Sequence, residues 1–124
     1  MTKQQKTEQA EAIATLLTII KPGDTVYTVL RHVSRTGMSR TIACYVIQDG
    51  QPRWITSLVS RALGYGKLRN VGRTGEGIHV PGCGMDMGFH LVHSLSYKLW
   101  GYGPEVKDAG YQLRHEWQIG RAHV

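Results

Sequence analysis

Residues 24–55, DTVYTVLRHVSRTGMSRTIACYVIQDGQPRWI, decide the fold. The runs DTVYTVLRHV at 24–33 and RTIACYVI at 40–47 are rich in β-branched and aromatic residues, which favour β-strands. Asp49-Gly50 is a typical hairpin turn, so QPRWI at 51–55 is predicted as a short third strand. This stretch therefore predicts a small antiparallel meander.

Helical patterns flank the meander on both sides. Before it, Thr7 is a candidate N-cap, and Lys21-Pro22-Gly23-Asp24 is a typical helix stop. The apolar stripe of that first helix consists of Ile13, Leu16, Leu17 and Ile20. A second helix is predicted from Thr56 to the stop at Gly64, and its core positions are Leu58, Val59, Ala62 and Leu63. A third is predicted over 88–100, with the core stripe Val92, Leu95 and Leu99.

The remaining segments complete the order of elements. Residues 64–77 hold five glycines and predict a mobile surface loop, while 77–80 and 111–117 are candidate strands. The order αβββαβαβ predicts a single α+β domain over residues 1–117, a mostly antiparallel sheet covered on one face by two to three helices. The last seven residues, QIGRAHV at 118–124, can be encoded by the start of a common sequencing adapter, so they are predicted to be a non-native tail.

Composition narrows the class of partner. The chain has 124 residues and a formal net charge of +6, which favours an anionic partner. Two cysteines do not make a disulfide framework, and a reducing compartment is the expectation. No apolar run approaches the ~20 residues of a membrane span, and the N-terminus lacks the apolar region of a secretory signal. A cytoplasmic, soluble protein without a membrane partner is predicted.

Two glycine-punctuated segments stand out as candidate binding elements. The first, RHVSRTGMSR at 31–40, gathers forked guanidinium donors, hydroxyls and a glycine that lets a ligand approach the backbone. The second, PGCGMDMGFH at 81–90, places glycines before a helix, where unpaired N–H groups and the helix dipole favour anions. An ordinary solvated hairpin loop and a plain helix start remain the alternatives.

Neither segment is a recognised nucleotide fingerprint. The glycines at 82, 84 and 88 do not have the G-x-G-x-x-G spacing, and the Lys-Ser/Thr of a P-loop is absent. Asp86 suits an N-cap, or a contact to a ribose hydroxyl or a base amino group. Met85 and Phe89 offer apolar contact for a flat base, or simply belong to the core.

Catalytic and metal-binding patterns are weak. His90 and His93 with Cys83 suggest zinc, but closed zinc sites usually pair their ligands tightly in both halves of the motif. Asp86 and His90, at i and i+4, could exchange protons, yet no nucleophile and base grouping accompanies them. The prediction is therefore a binding protein with no catalytic residue, no metal and no cofactor.

Several segments together resemble a family of small phage and prophage proteins. They are TVYTVLRHVSRTGMSRTI, ITSLVSRALG, VPGCGMDMGFHLVHSLSYKLWG and GYQLRHEW, in order from about Thr25 to Trp117. Two features depart from that pattern: the loop GYGPEVKDAG is shorter than in many relatives, and His93-Ser94 replaces a commoner Tyr-Asn pair. The chain is also similar to phage anti-defence "sponges", oligomers that sequester nucleotide signals of host immunity, such as those of Thoeris, without cleaving them.

The predicted function is sequestration of a cyclic dinucleotide, cyclic trinucleotide or cyclic ADP-ribose-type signal by a homo-oligomer in an infected bacterial cell. The candidate ligand-binding residues are Arg31, Ser34, Arg35, Met38, Arg40, Gly84, Met85, Asp86, Phe89, His90 and Arg114. Two alternatives remain. One is a nucleic-acid-binding phage accessory protein whose basic loops 31–40 and 66–73 track a phosphate backbone, and the other is an enzyme using Asp86 and His90 on the same nucleotides.

Overall fold

The structure, a computed structural model, describes residues 2–33, 35, 39–65, 67–81, 87–101 and 113–118, the side chains of Ser39, Thr74 and Pro81 excepted. Within these residues the chain forms three α-helices and six strands of one mixed sheet. The helices are α1 (Lys3–Ile19), α2 (Thr56–Leu63) and α3 (Met87–Trp100). The strands are β1 (Thr25–Val33), β2 (Ser39–Gln48), β3 (Gln51–Trp54), β4 (Arg69–Asn70), β5 (Glu76–Pro81) and β6 (Arg114–Gln118).

The predicted α+β class and the antiparallel meander are confirmed. β1 pairs with β2, and β2 pairs with β3, both antiparallel. The turn between β2 and β3 contains Asp49 at φ 54° and Gly50 at φ 76°. The main sheet order is β4-β5-β2-β1-β6, and β6 is parallel to β1, which makes the sheet mixed. β3 and β5 share one edge of β2, so the sheet has a gap between them at Ala43 and Cys44.

The first helix starts earlier than its sequence pattern predicts. Thr2, not Thr7, is the N-cap, because Thr2 and Gln5 form a reciprocal capping box. Thr7 lies inside α1, where its hydroxyl donates to the carbonyl of Lys3 at 3.1 Å. Leu16 and Ile20 are buried as predicted, but Leu17 is 44% exposed, so its assignment to the core is wrong.

The second and third helices match their predictions closely. α2 ends at Gly64, whose left-handed φ of 73° favours glycine. Residues 64–77, predicted as a loop, contain the short strand β4 and a single 3-10 turn, Gly72–Thr74. The core stripe of α3, Val92, Leu95 and Leu99, is buried.

The helices cover one face of the sheet, here called the helix face. Its core contains Val26, Ile42, Cys44, Val46 and Ile78 from the strands. The opposite face carries Tyr27, Tyr45 and Trp54, and is here called the aromatic face. No helix within the described residues is both long and apolar enough to cross a bilayer. Gln118 pairs with Val29 as the last residue of β6, one position past the predicted domain boundary.

Candidate functional site

The two glycine-punctuated segments leave the sheet at the same end. β1 ends at Val33, β2 begins at Ser39, and β5 ends at Pro81, which is the register partner of Ser39. The segments 34–38 and 82–86 therefore start from neighbouring strand ends. Ser34, Met38, Gly84, Met85 and Asp86 lie outside the described residues, so their roles stay predictions.

The arginines of the first segment are not gathered on one face. A register shift between Leu30 and His32 leaves Arg31 as a β-bulge residue, and bulges redirect side chains. Arg31 lies over the ring of Trp54 on the aromatic face, 4.6 Å from the ring centroid. Arg40 shares a face with Ile42 by strand alternation, which is the helix face. One ligand cannot be clamped by Arg31 and Arg40 from a single face.

The other predicted residues are spread over the fold. Arg35 is an exposed turn residue, and Arg114 pairs with Thr25 at the far end of β1. Thr25 and Arg31 are six residues apart along β1, and at ~3.3 Å per residue Arg114 is therefore ~20 Å from Arg31. Phe89 is 50% exposed on α3, and its ring stacks on His93. The next residue, His90, is also exposed. The structure does not bring Arg114 to the other candidates.

Arg31 lies half-buried in a cleft of about 360 Å³ that sequence analysis did not find. To reach Trp54 on β3, its side chain crosses β2, because β1 and β3 pair with opposite edges of that strand. The crossing lies at the gap in the sheet. The cleft, here called the Arg31 cleft, is lined by Arg31, Trp54, Thr56, Ser57, Gly75 and Glu76.

Trp54 is held in place by an aromatic ladder across three strands. Tyr27 stacks on Tyr45 with ring centroids 5.1 Å apart, and Tyr45 meets Trp54 at 5.0 Å. These three residues are register partners across β1, β2 and β3. Burial is the main cause of a raised pKa for Tyr45, and the neighbouring Tyr27 and Glu116 raise this pKa further. The ladder thus presents a fixed indole ring against which the guanidinium rests.

The hydrogen-bonding capacity of Arg31 is only partly used. Its Nε is buried and has no hydrogen-bond partner among the described residues, and the same holds for Nε of Arg40. Burial lowers the pKa of Arg31, yet an arginine remains charged at neutral pH. A buried donor without an acceptor typically costs about 1–3 kcal/mol, and more when the group is charged. Arg31 also lines the cleft, where an anionic ligand can accept hydrogen bonds from its guanidinium.

The start of α2 adds further donors beside Arg31. Its N-cap is Ile55, which provides no side-chain cap, and no acidic residue occupies the first turn. The hydroxyl of Thr56 is already bonded to the backbone of Cys44, with Oγ1 accepting from the Cys44 N–H at 3.2 Å. Ser57 is exposed and follows at the next position. Uncapped N–H groups and the helix dipole favour an anion at this point.

Glu76 places a negative charge at one side of the Arg31 cleft. A carboxylate there disfavours a phosphate close by, but it accepts hydrogen bonds from hydroxyl or amino groups. The residues lining the cleft include no histidine and no cysteine. The cleft therefore suits a ligand with an anionic group and a separate set of hydrogen-bond donors.

Other features of the described residues have structural explanations. A hollow of about 420 Å³ between α1 and α2 is bordered by Gln9, whose amide donates to the Ala62 carbonyl at 2.8 Å and so satisfies the end of α2. Burial raises the pKa of the fully buried Cys44 thiol to about 12, so this thiol is unreactive. No cluster of three histidine, cysteine or acidic side chains in the described part of the chain could hold a metal.

Sequence analysis missed Trp54 and Glu76 because no local signal marks them. The bulge at Arg31 and the gap between β3 and β5 depend on strand register, which a single sequence does not reveal. One feature of the sequence could have drawn attention to this place: Trp54 is followed by Ile55, an apolar N-cap, at the start of α2. No family model, curated protein or solved structure gives a match to this chain.

Proposed function

We propose that the protein binds a phosphate-bearing nucleotide in the Arg31 cleft and holds it without cleaving it. The observation that carries this proposal is the guanidinium of Arg31, which lies over the ring of Trp54 and lines the cleft. A phosphate between Arg31 and the start of α2 accepts charge-assisted hydrogen bonds from the guanidinium. Glu76 accepts from the ribose hydroxyls or a base amino group.

The size and lining of the cleft support a nucleotide as the proposed ligand. A volume of about 360 Å³ lies in the range of small-molecule sites and is enough for one nucleotide unit. A cyclic dinucleotide, cyclic trinucleotide or cyclic ADP-ribose-type signal would extend beyond it, and a second subunit would cover the rest. In an infected bacterium, such binding sequesters the signal and so blocks the immune response that it triggers. The resemblance to phage proteins supports this setting.

A substitution of Arg31 tests the proposal against a matched arginine. Arg53, on the strand that carries Trp54, is exposed and donates to Gln48 at 2.8 Å, outside the cleft. Calorimetric titration with a panel of cyclic nucleotides should find a ligand for the wild-type protein and for Arg53→Ala. Arg31→Ala should lose about 1.5–3 kcal/mol of binding free energy, typical of hydrogen bonds to a charged group.

The melting temperature separates loss of binding from loss of fold. Arg31→Ala removes both the cost of a buried donor and the favourable contact with Trp54, and because these effects oppose each other the melting temperature without ligand should change little. Equal affinities of Arg31→Ala and Arg53→Ala for the ligand would show that the Arg31 cleft is not the site. Failure of every nucleotide in the panel to bind would refute the proposed function.

A further inference from the structure

A second concave surface, unrelated to the Arg31 cleft, runs along α3. It consists of two adjoining hollows of about 480 and about 430 Å³ that share Tyr65 and Ser94. We name their combination the α3 groove. It is lined by Leu63, Tyr65, His79, Val80, Met87, His90, Leu91, Ser94, Tyr97 and Lys98, none of which lines the Arg31 cleft.

The α3 groove has an apolar floor and aromatic sides. Val80 and Leu91 at the floor are 8% and 2% exposed and belong to the core. Tyr65 and Tyr97 at the sides are 47% and 42% exposed. Single exposed aromatic residues are common on proteins and need no explanation. Tyr65 and Tyr97 both border the smaller hollow, and Tyr65 also borders the larger one with the apolar floor, so the two rings provide platforms on which flat rings can stack.

The charges on both walls have one sign. Residues 61–73, which contain Tyr65, have no acidic residue, and they carry Arg69 and Arg73 besides Arg61 and Lys67, which line the hollow between α1 and α2. Residues 87–101, which form the other wall, carry Lys98 and no acidic residue. Among the residues that the structure describes, no aspartate or glutamate lines either hollow. The complement of this surface is a polyanion whose flat rings are free to stack.

We propose that the α3 groove binds a short single-stranded segment of nucleic acid. Each hollow accommodates one nucleotide, with one base on Tyr65 and the next on Tyr97, and the phosphates lie toward the cations of the two walls. A duplex does not fit this chemistry, because its bases are already stacked on one another and unavailable to tyrosine. The site uses other residues than the proposed nucleotide cleft, so each can fail without the other.

Fluorescence anisotropy with a labelled ten-residue oligothymidine tests the proposal. Wild-type protein should bind it at low salt, and the affinity should fall steeply as salt rises, because each neutralised phosphate releases counterions. Tyr65→Ala and Tyr97→Ala should each weaken binding roughly tenfold, the usual effect of losing one stacking platform. Ile47→Ala, which removes an apolar side chain that is 51% exposed on β2, should leave the affinity unchanged.

Charge and site controls complete the experiment. Lys98→Gln should weaken binding and reduce its salt dependence, whereas Lys6→Gln on the exposed face of α1 should do neither. Arg31→Ala should bind the oligonucleotide like wild type, which separates this site from the nucleotide cleft. The proposal is overturned if the oligonucleotide does not bind, if a duplex competes equally well, or if the tyrosine variants bind like Ile47→Ala.

Discussion

Arg31 and His115 show how single side chains in this fold are set by their surroundings. Arg31 is a bulge residue that crosses β2 to rest on Trp54 with a buried, unpaired Nε. His115 lies on the helix face of β6, where its Nε2 is 2.7 Å from the hydroxyl of the fully buried Thr28. The first side chain is charged and incompletely paired. The second is a polar group whose partner is part of the core.

The His115 environment predicts a pH dependence of stability. Burial, opposed by the smaller effect of Glu116, lowers the pKa of His115 below its ordinary value. The unfolded chain then binds a proton more readily than the folded chain, so this contribution to stability is fully present above about pH 6.5 and is lost as the pH falls through the lowered folded-state pKa. The melting temperature should therefore fall from pH 7 to pH 5.

A histidine substitution isolates this contribution. In His115→Gln the amide can still meet Thr28 but does not titrate, so the fall in melting temperature between pH 7 and pH 5 should be smaller than in wild type. His32→Gln, at an exposed position of β1, serves as the control and should retain the wild-type slope. Identical slopes for wild type and His115→Gln would show that His115 does not have the lowered pKa.

At the scale of elements, Gly88 determines how α3 sits on the sheet. A Cβ at this position would lie 2.6 Å from Oγ1 of Thr28, 2.8 Å from Nε2 of His115 and 3.1 Å from Cε3 of Trp117. These atoms belong to β1 and β6, so the absence of a side chain lets the helix approach both strands. The last glycine of the segment 81–90, predicted to help form an anion site, is thus a packing residue.

Gly88→Ala should destabilise the protein. Alanine favours a helix over glycine by ~1 kcal/mol, but overpacking against three fixed neighbours costs about 1–3 kcal/mol, and more where strands cannot shift. We expect a net loss in the free energy of urea unfolding. Ser94→Ala, at an exposed position of the same helix, should be neutral or slightly stabilising. A Gly88→Ala protein as stable as Ser94→Ala would contradict the close approach.

The sequence predicts local elements better than their arrangement. β1 to β3 and α2 follow from side-chain type, an Asp-Gly turn and a glycine stop, all of which are local signals. The start of α1 is harder to predict, because both Thr2 and Thr7 can cap a helix and only the partner of Thr2 at Gln5 distinguishes them. The opposite directions of Arg31 and Arg40 depend on a bulge and on register, which involve residues far apart in sequence. The places of Trp54 and Glu76 in the Arg31 cleft also depend on strand register, so the sequence alone does not predict them.

At the scale of the whole molecule, the two proposed sites lie on different surfaces of one domain. The Arg31 cleft opens at the gap between β3 and β5 and contains both a cation and a carboxylate. The α3 groove lies against the opposite end of α2, and its described lining residues include no carboxylate. The formal net charge of +6 attracts anions to both, so local lining and not overall charge decides which ligand each surface selects.

The central claim, that a nucleotide is held and not cleaved in the Arg31 cleft, is tested most directly by recovering the ligand. Protein is incubated with cyclic dinucleotides, cyclic trinucleotides and cyclic ADP-ribose-type molecules, freed of unbound ligand, and heated until it unfolds. Mass spectrometry then identifies what is released. We expect one compound of unchanged mass from wild type and Arg53→Ala, and none from Arg31→Ala. Release of a compound with altered mass, or equal release from Arg31→Ala, would contradict the claim.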